Sequence, residues 1–196
     1  MLSGTRAATT GSVQLDGKEI ANASPQQVMA AGLGRIPEDR HASIVGEMSV
    51  AHNAALEHLD EFTRNGRLDH AAIRRHAETL IADYQIKAKP DDKIRTLSGG
   101  NIQKVLLARV IERNPKAIVV AQPTRGLDLG ATSYVRNKLR EQRDKGAAIL
   151  LISEDLDELL ELSDRVAVIY EGKIVGVMPV GEATLERLGL LMAGAG

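Results

Sequence analysis

Short aliphatic runs that alternate with helical segments constrain the fold of this chain more than any other feature. Three of these runs lie in its second half, at residues 117–121, 147–152 and 165–170. Helical spacing fills the intervals between them, over about 130–145 and 155–162. Because strands that alternate with helices form βαβ units, the pattern predicts an α/β fold with a mostly parallel sheet.

Composition predicts an aliphatic core and excludes several functions. The 196 residues include one Phe, three Tyr and no Trp, which suits parallel strands buried under helices. The net charge of −1 predicts no nucleic-acid partner. The lack of Cys excludes disulfides, Cys-ligated zinc and cysteine nucleophiles. No apolar run approaches the ~18 residues that cross a bilayer, so we expect a cytoplasmic protein that meets a membrane only through a partner.

The region before residue 40 carries one strong helix start. Ser24 is predicted to cap a helix, with Pro25 at its first position and Gln27 closing a capping box. The helix is expected to stop at Gly32, and residues 33–36 form a candidate strand. A helix followed at once by a strand extends the α/β pattern toward the N-terminus.

Residues 48–88 are predicted to form a helical insert. Helical spacing covers 48–59 and 69–86, with Asn65-Gly66 between them and no strand pattern. Four His residues here form two pairs spaced six apart, which puts the members of each pair off one helical face. We therefore interpret them as solvent-exposed rather than metal-binding. They are His52, His58, His70 and His76.

The strongest chemical signal is the segment LSGGNIQK at residues 97–104. Ser98 can cap a helix, while Gly99 and Gly100 let a ligand approach the backbone closely. Unpaired N–H groups at the N-terminus of a helix form an anion site. On this local pattern alone, an ordinary helix start is an equally good interpretation.

The wider context resembles the ABC ATPases. LSGGN, the aliphatic strand at 118–121 and QPTRGLD at 122–128 resemble the family's signature motif, Walker B strand and D-loop. Upstream, IPEDR at 36–40 resembles the Q-loop region, and SED at 153–155 falls at the switch-histidine loop. The resemblance covers residues 1 to about 180 in order, so chance similarity in an unrelated α/β domain is the weaker explanation.

The resemblance implies a partial P-loop NTPase fold with a helical subdomain inserted into it. It would divide the chain into an incomplete N-terminal part of the ATPase core, 1–40, and a helical signature subdomain, 41–95. A RecA-like core with the signature helix, a degenerate Walker B strand, the D-loop and the switch loop would follow at 96–180. A C-terminal helix and tail would occupy 181–196.

Motif details narrow the resemblance to one subgroup. LSGGN rather than LSGGQ, together with PEDR and PTRGLD, resembles the second, C-terminal nucleotide-binding domain of tandem ATPases that serve simple-sugar and nucleoside importers. The pair Ala121-Gln122 and the segment 153–158 resemble the nucleoside branch. Two alternatives stay open: a soluble, non-transport ABC ATPase and a non-catalytic ABC-like scaffold.

Several positions of the family pattern are altered here. The chain has no glycine-rich phosphate loop (Walker A), and residues 1–4 resemble the end of the helix that follows that loop, so we expect a chain truncated before the Q-loop. Ala121 replaces the Asp that supports Mg²⁺, and Gln122 replaces the general-base Glu. Glu154 stands at the switch-histidine position and Glu38 at the Q-loop position.

We therefore expect a half-site that does not hydrolyse ATP itself but serves a partner. The resemblance implies a head-to-tail pair of ATPase domains, in which the signature motif and Asp128 of one face the ATP of the other. The signature motif comprises Leu97, Ser98, Gly99, Gly100 and Asn101. ATP and Mg²⁺ are then expected only in the assembled dimer. An integral-membrane permease, and indirectly a solute-binding protein, are further implied partners, which would place the chain at the inner face of the cell membrane.

Overall fold

The computed structural model describes residues 4–194, which divide into two compact units between Leu150 and Leu151. Residues 1–3, where the resemblance to the end of a helix falls, and residues 195–196 of the predicted tail lie outside the described part. None of the helices formed by residues 4–194 is long and apolar enough to cross a membrane. Each unit is described by itself.

The first unit begins with a hairpin and a capped helix. Strands β1 (Gln14–Leu15) and β2 (Lys18–Glu19) pair antiparallel. Helix α1 (Pro25–Ala30) then starts at the predicted capping box. In it, Ser24 Oγ accepts the Gln27 N–H at 3.3 Å and Gln27 Oε1 accepts the Ser24 N–H at 2.9 Å, which confirms the prediction.

The aliphatic segments at 33–36, 117–121 and 148–152 form a three-stranded sheet in the order β3-β6-β7. Strands β3 (Leu33–Ile36) and β6 (Ala117–Ala121) pair in parallel, and the third strand, β7, covers Ala148–Ile152. The α/β class with a parallel sheet is thus confirmed.

Helix α4 (Gly99–Ile111) packs closely against β3. A Cβ atom built at Gly34 of β3 would lie 2.5 Å from Val110 Cγ1 of α4 and 3.3 Å from Pro115 Cβ. Real Cβ atoms do not approach other carbons this closely, so only glycine fits at Gly34. The close approach brings the helix that carries the signature motif against the strand that leads into residues 37–40.

The segment between β3 and α4 is less helical than predicted. Helix α2 is confined to Val50–Ala55, and α3 runs over His70–Asp83. Between them β4 (Thr63–Arg64) and β5 (Arg67–Leu68) form a hairpin, so the expectation of an insert without strands was wrong. Its turn is Asn65-Gly66, with positive φ at both residues (51° and 74°). A type I′ hairpin turn requires positive φ at both of its central residues. Asn65-Gly66 is therefore a signal for a hairpin rather than for the end of a helix.

Helix α5 (Leu129–Asp144) completes the first unit and contacts α4. Because α4 also contacts α2, α3 and β3, it is the central helix of this unit. Residues 102, 103 and 105–111 of α4 are all buried. Only the start of α4 is left accessible, so a ligand or partner can reach this helix there and not along its length.

The second unit contains the remaining elements. Helix α6 (Leu156–Leu162) precedes strand β8 (Arg165–Tyr170), which pairs antiparallel with β9 (Lys173–Pro179). Helix α7 covers Leu185–Met192. Five buried apolar residues of this unit form a small core between the hairpin and α7: Val166, Val168, Met178, Ala183 and Leu188.

Candidate functional site

The candidate site begins at Ser98, the residue that caps α4. Its backbone is extended, with φ −63° and ψ 155°, and its side chain accepts a hydrogen bond from the N–H of Asn101. Ser98 is exposed, whereas the helix behind it is buried. This geometry leaves the N–H groups of Gly99 and Gly100 at the open start of the helix, as an anion-binding helix start requires.

The side chain of Asn101 connects Ser98 to the segment that follows α3. Its Nδ2 donates to Ser98 Oγ at 2.9 Å, and its Oδ1 accepts the backbone N–H of Lys87 at 2.8 Å. The signature motif is therefore held in place by the segment around Lys87 as well as by its own helix.

The loop after β3 reaches the turn after β6 through two charged side chains. Glu38 forms an ion pair with Arg125, and the Arg40 guanidinium donates to the backbone oxygen of Arg125. Between them, Asp39 Oδ1 accepts the N–H groups of His41 (2.9 Å) and Ala42 (3.0 Å). The hydrogen bond from Ala42 is the largest cause that lowers the pKa of the Asp39 carboxyl. PEDR thus connects the end of β3 to the turn after β6, and the assignment of Glu38 to the Q-loop position stays a prediction.

Two glycines border the Arg40 guanidinium. A Cβ atom built at Gly99 would lie 3.1 Å from Arg40 Nη1, and one built at Gly126 would lie 3.8 Å from Nη2. Arg40 therefore lies between the start of the signature helix and the PTRG turn. The sequence-based prediction gave Arg40 no role, although the loop that follows a strand of an open α/β sheet is where ligand sites lie.

Asp128 is the N-cap of α5. Its Oδ1 accepts the N–H of Ala131 at 2.8 Å. Ala131 in turn faces the signature motif, since a Cβ atom built at Gly100 would lie 3.1 Å from Ala131 Cβ. The structure thus brings the predicted D-loop residue and the signature motif to adjacent helix starts.

A second contact joins these two helices deeper in the unit. Lys104 of α4 places Nζ 4.3 Å from the ring centroid of Tyr134 in α5. Burial is the main cause that raises the pKa of Tyr134 to about 12, so its hydroxyl stays protonated at neutral pH. The contact between Lys104 and Tyr134 thus joins the two helices whose starts carry the signature motif and Asp128.

The end of β6 carries the two altered positions. Ala121 is the last residue of the strand, and Gln122 follows with φ 47°. A left-handed backbone is costly for a residue with a side chain, which marks a turn constrained by its surroundings. The methyl group of Ala121 has no atom that could ligate a metal, and the neutral amide of Gln122 cannot accept a proton at neutral pH.

The switch-position residue belongs to the second unit. Glu154 is exposed and directly precedes Asp155, the N-cap of α6, whose Oδ1 accepts the N–H of Glu158 at 3.1 Å. The N-cap of this helix is thus Asp155, which leaves Glu154 outside the cap. Its assignment to the switch position stays a prediction.

The histidines are arranged differently from the sequence-based interpretation. His52 Nε2 of α2 lies 3.3 Å from His70 Nδ1 of α3, and the ring of His58, in the segment after α2, lies 5.6 Å from that of His76 in α3. His58 is only 4% exposed, so the expectation that all four are solvent-exposed was wrong. The spacing of six along the chain did not predict this arrangement, because each histidine pairs with one that lies 18 residues away on another segment. Residues 4–194 contain no group of three or more His, Cys, Asp or Glu side chains that could hold a metal ion.

The fold defined by these elements is that of an ABC-type P-loop ATPase. A nucleotide-free ATP-binding cassette from an ABC transporter superposes with a TM-score of 0.75 at 24% identity, covering 91% of this chain and 73% of that one. A dimeric cassette in a post-hydrolysis state, bound to ADP and Pi, superposes with a TM-score of 0.73 at 18% identity, covering 91% and 77%. At these identities the likeness shows the fold alone.

Sequence comparison gives the family. The family described as ABC transporter matches residues 1–125, and the chain belongs to it. It is 41% identical over 202 residues to a glucose import ATP-binding protein of Haloferax volcanii, and 42% identical over 199 residues to a guanosine import ATP-binding protein of Bacillus subtilis. These matches cover 100% and 99% of this chain but only 37% and 39% of those proteins. A ribose import ATP-binding protein of Bacillus subtilis is 38% identical over 187 residues.

Proposed function

We propose that this chain is the ATP-binding part of an importer for simple sugars or nucleosides, and that it contributes its signature motif in trans to an ATP site on a partner ATPase domain. The observation that supports this most directly is Ser98: an exposed hydroxyl at the start of a buried helix, beside Asp128 on the adjacent helix start. Relatives named as glucose, guanosine and ribose import ATP-binding proteins support the transport role.

The chemistry of the signature motif fits this proposal. The hydroxyl of Ser98 and the N–H group of Gly100 are donors at a helix start, where the helix dipole favours negative charge. A γ-phosphate presented by a partner domain has the acceptor oxygens that such donors bind. The free energy of these hydrogen bonds to phosphate then favours the arrangement in which the two ATPase domains are closed on each other.

The other half of the proposal is that this chain's own half-site does not hydrolyse ATP. Ala121 and Gln122 stand at the metal-supporting and general-base positions, and Glu154 puts a carboxylate at the switch position, where it would repel a phosphate. ATP and Mg²⁺ are therefore proposed to bind only across the assembled pair.

The proposed partners follow from the transport role. They are the second ATPase domain, an integral-membrane permease and, indirectly, a solute-binding protein. The permease would hold the chain at the inner face of the membrane. The division into core, helical signature subdomain and C-terminal helix at 1–40, 41–95, 96–180 and 181–196 is part of the same proposal.

ATP turnover of the reconstituted transporter tests the assignment of the two half-sites. Ser98→Arg places a bulky cation at the start of α4 and blocks the phosphate position, so turnover should be lost. Gln122→Ala should leave most of the turnover, because that residue belongs to the silent half-site. Loss of turnover with Gln122→Ala but not with Ser98→Arg would show that the half-sites are assigned the wrong way round. Turnover unaffected by either change would favour a scaffold.

A further inference from the structure

We infer that the side chain of Asn101 is a positioning residue that fixes the hydroxyl of Ser98 as a hydrogen-bond donor toward phosphate, and that it does so under the control of the segment after α3. The inference rests on the proposed function, because it concerns how Ser98 meets a phosphate. It adds a role for a side chain that does not itself touch the ligand.

The first step is an account of the hydrogen bonds at Ser98 Oγ. A serine hydroxyl has one proton to donate and two lone pairs that accept. Oγ accepts from Asn101 Nδ2 at 2.9 Å and, more weakly, from the Asn101 backbone N–H at 3.4 Å. With both lone pairs engaged by donors, the hydroxyl proton is directed elsewhere. Ser98 is exposed, so that proton is available to an acceptor oxygen of a ligand.

The second step is that the amide of Asn101 cannot turn over. Its Oδ1 accepts the backbone N–H of Lys87 at 2.8 Å. Flipping the amide would set its NH₂ group against that N–H, which would lose this bond, and would set its oxygen against Ser98 Oγ. Ser98 would then donate to Asn101 instead of to the ligand. The Lys87 N–H therefore sets the direction in which Ser98 donates.

The third step is that the segment around Lys87 is itself fastened to α4. Lys104 lies one turn further along the helix, and its Nζ donates to the backbone oxygen of Gln85 at 2.9 Å. Ile86 between the two contacts is buried. Two hydrogen bonds one helical turn apart thus hold residues 85–87 along α4. A movement of α3 that pulled this segment away would release Asn101 and, with it, the orientation of the Ser98 hydroxyl.

A double-mutant cycle separates this role from a structural one. The four proteins are the unchanged transporter, Ser98→Ala, Asn101→Ala and the double variant, and the measurement is ATP turnover after reconstitution. Hydrogen bonds to charged groups predict a loss of roughly tenfold or more for Ser98→Ala. Asn101→Ala should lose several-fold, and the double variant should be no slower than Ser98→Ala alone, because Asn101 acts through Ser98.

Two isosteric or conservative variants sharpen the cycle. Asn101→Asp keeps the acceptor for the Lys87 N–H but offers a carboxylate oxygen to Ser98, which then donates to it, so turnover should fall at least as far as in Ser98→Ala. Asn101→Gln keeps the amide, so it should retain more turnover than Asn101→Ala. An unchanged melting temperature for all variants would show that the fold is intact.

The outcomes distinguish the inference from the function beneath it. If Ser98→Ala has no effect on turnover, the proposed trans contact fails, and the role of Asn101 fails with it. If Ser98→Ala slows turnover but Asn101→Ala lowers it by the same factor with and without Ser98→Ala, the contact stands and Asn101 acts independently of Ser98. Asn101→Asp with turnover equal to the unchanged protein would also overturn the inference.

Discussion

The guanidinium of Arg40 donates a hydrogen bond to the backbone oxygen of Arg125, 85 residues further along the chain. Its Nη1 also lies 3.1 Å from the position that a Cβ atom would occupy at Gly99. One side chain therefore touches the loop after β6 and borders the start of the signature helix. A change at Arg40 should affect the alignment of these two motifs more than the stability of the fold, since it is only partly buried.

We predict that Arg40→Ala lowers ATP turnover of the reconstituted transporter several-fold while shifting the melting temperature little. Contacts of exposed charged groups contribute only about 0–1 kcal/mol to stability, so the effect should appear in activity. Arg40→Lys should not restore turnover, because an ammonium does not reproduce the planar guanidinium that reaches Arg125 while bordering Gly99. Arg64→Ala, in the exposed β4–β5 hairpin, is the control and should change neither quantity. Normal turnover in Arg40→Ala would contradict the alignment role.

A second prediction concerns the contact between β3 and α4. Gly34→Ala would place a methyl group 2.5 Å from Val110 Cγ1, so the strand or the buried side chain of Val110 would have to shift. Forced overpacking of this kind costs about 1–3 kcal/mol, which should lower the urea midpoint of unfolding. Gly46→Ala is the matched control, because its new Cβ would meet only side-chain atoms of Arg95, the nearest at 3.5 Å, which is an ordinary contact. Equal midpoints for the two variants would show that the close packing is absent in solution.

The parts of the fold that could be predicted from the sequence depend on local patterns. Strands at 33–36, 117–121 and 165–170 have the predicted bounds, because aliphatic runs with turn residues at their ends specify a strand directly. The capping box at Ser24 was predictable for the same reason, since its two hydrogen bonds lie within four residues. The signature motif is also local, which explains why the helix start at Ser98 could be placed.

The parts that could not be predicted depend on contacts between distant segments. The link from Arg40 to Arg125 and the bond from Lys87 to Asn101 join elements whose relative positions no periodicity encodes. The hairpin around Asn65 is a different case: its turn signal was present, but the two-residue strands are too short to show alternation.

A third prediction concerns acid stability. Burial lowers the pKa of His76, with a further contribution from the neighbouring His58, while Glu112 and Glu61 oppose the shift. The ring of His76 also packs against Phe62 at 5.2 Å. Between the folded pKa and the unfolded value of about 6.5, the unfolded chain binds the proton and the folded chain does not. The free energy of unfolding should therefore decrease as the pH falls through this window, and the contribution of His76 is fully present above it.

Urea unfolding at about pH 7.5 and about pH 5 measures this dependence. His76→Phe removes the titrating group and keeps a ring against Phe62, so it should flatten the dependence of the midpoint on pH. His41→Gln, at an exposed position, should keep the dependence of the unchanged chain. A midpoint that falls equally with pH in all three proteins would assign the acid sensitivity to other groups.

The last prediction concerns β7, which ends the three-stranded sheet formed within residues 4–194. Two of its aliphatic side chains are half exposed, Leu150 at 50% and Ile152 at 51%. A strand that is both apolar and at the edge of a sheet is a template for pairing with another chain. We therefore expect the isolated chain to self-associate as its concentration rises, measured by sedimentation velocity. Leu150→Lys should reduce the association, because a charge on an edge strand opposes pairing. Leu185→Lys removes a comparably exposed side chain (59%) from helix α7 and should leave the association unchanged. A monomer at all concentrations, or equal effects of the two changes, would show that β7 is not the surface through which copies meet.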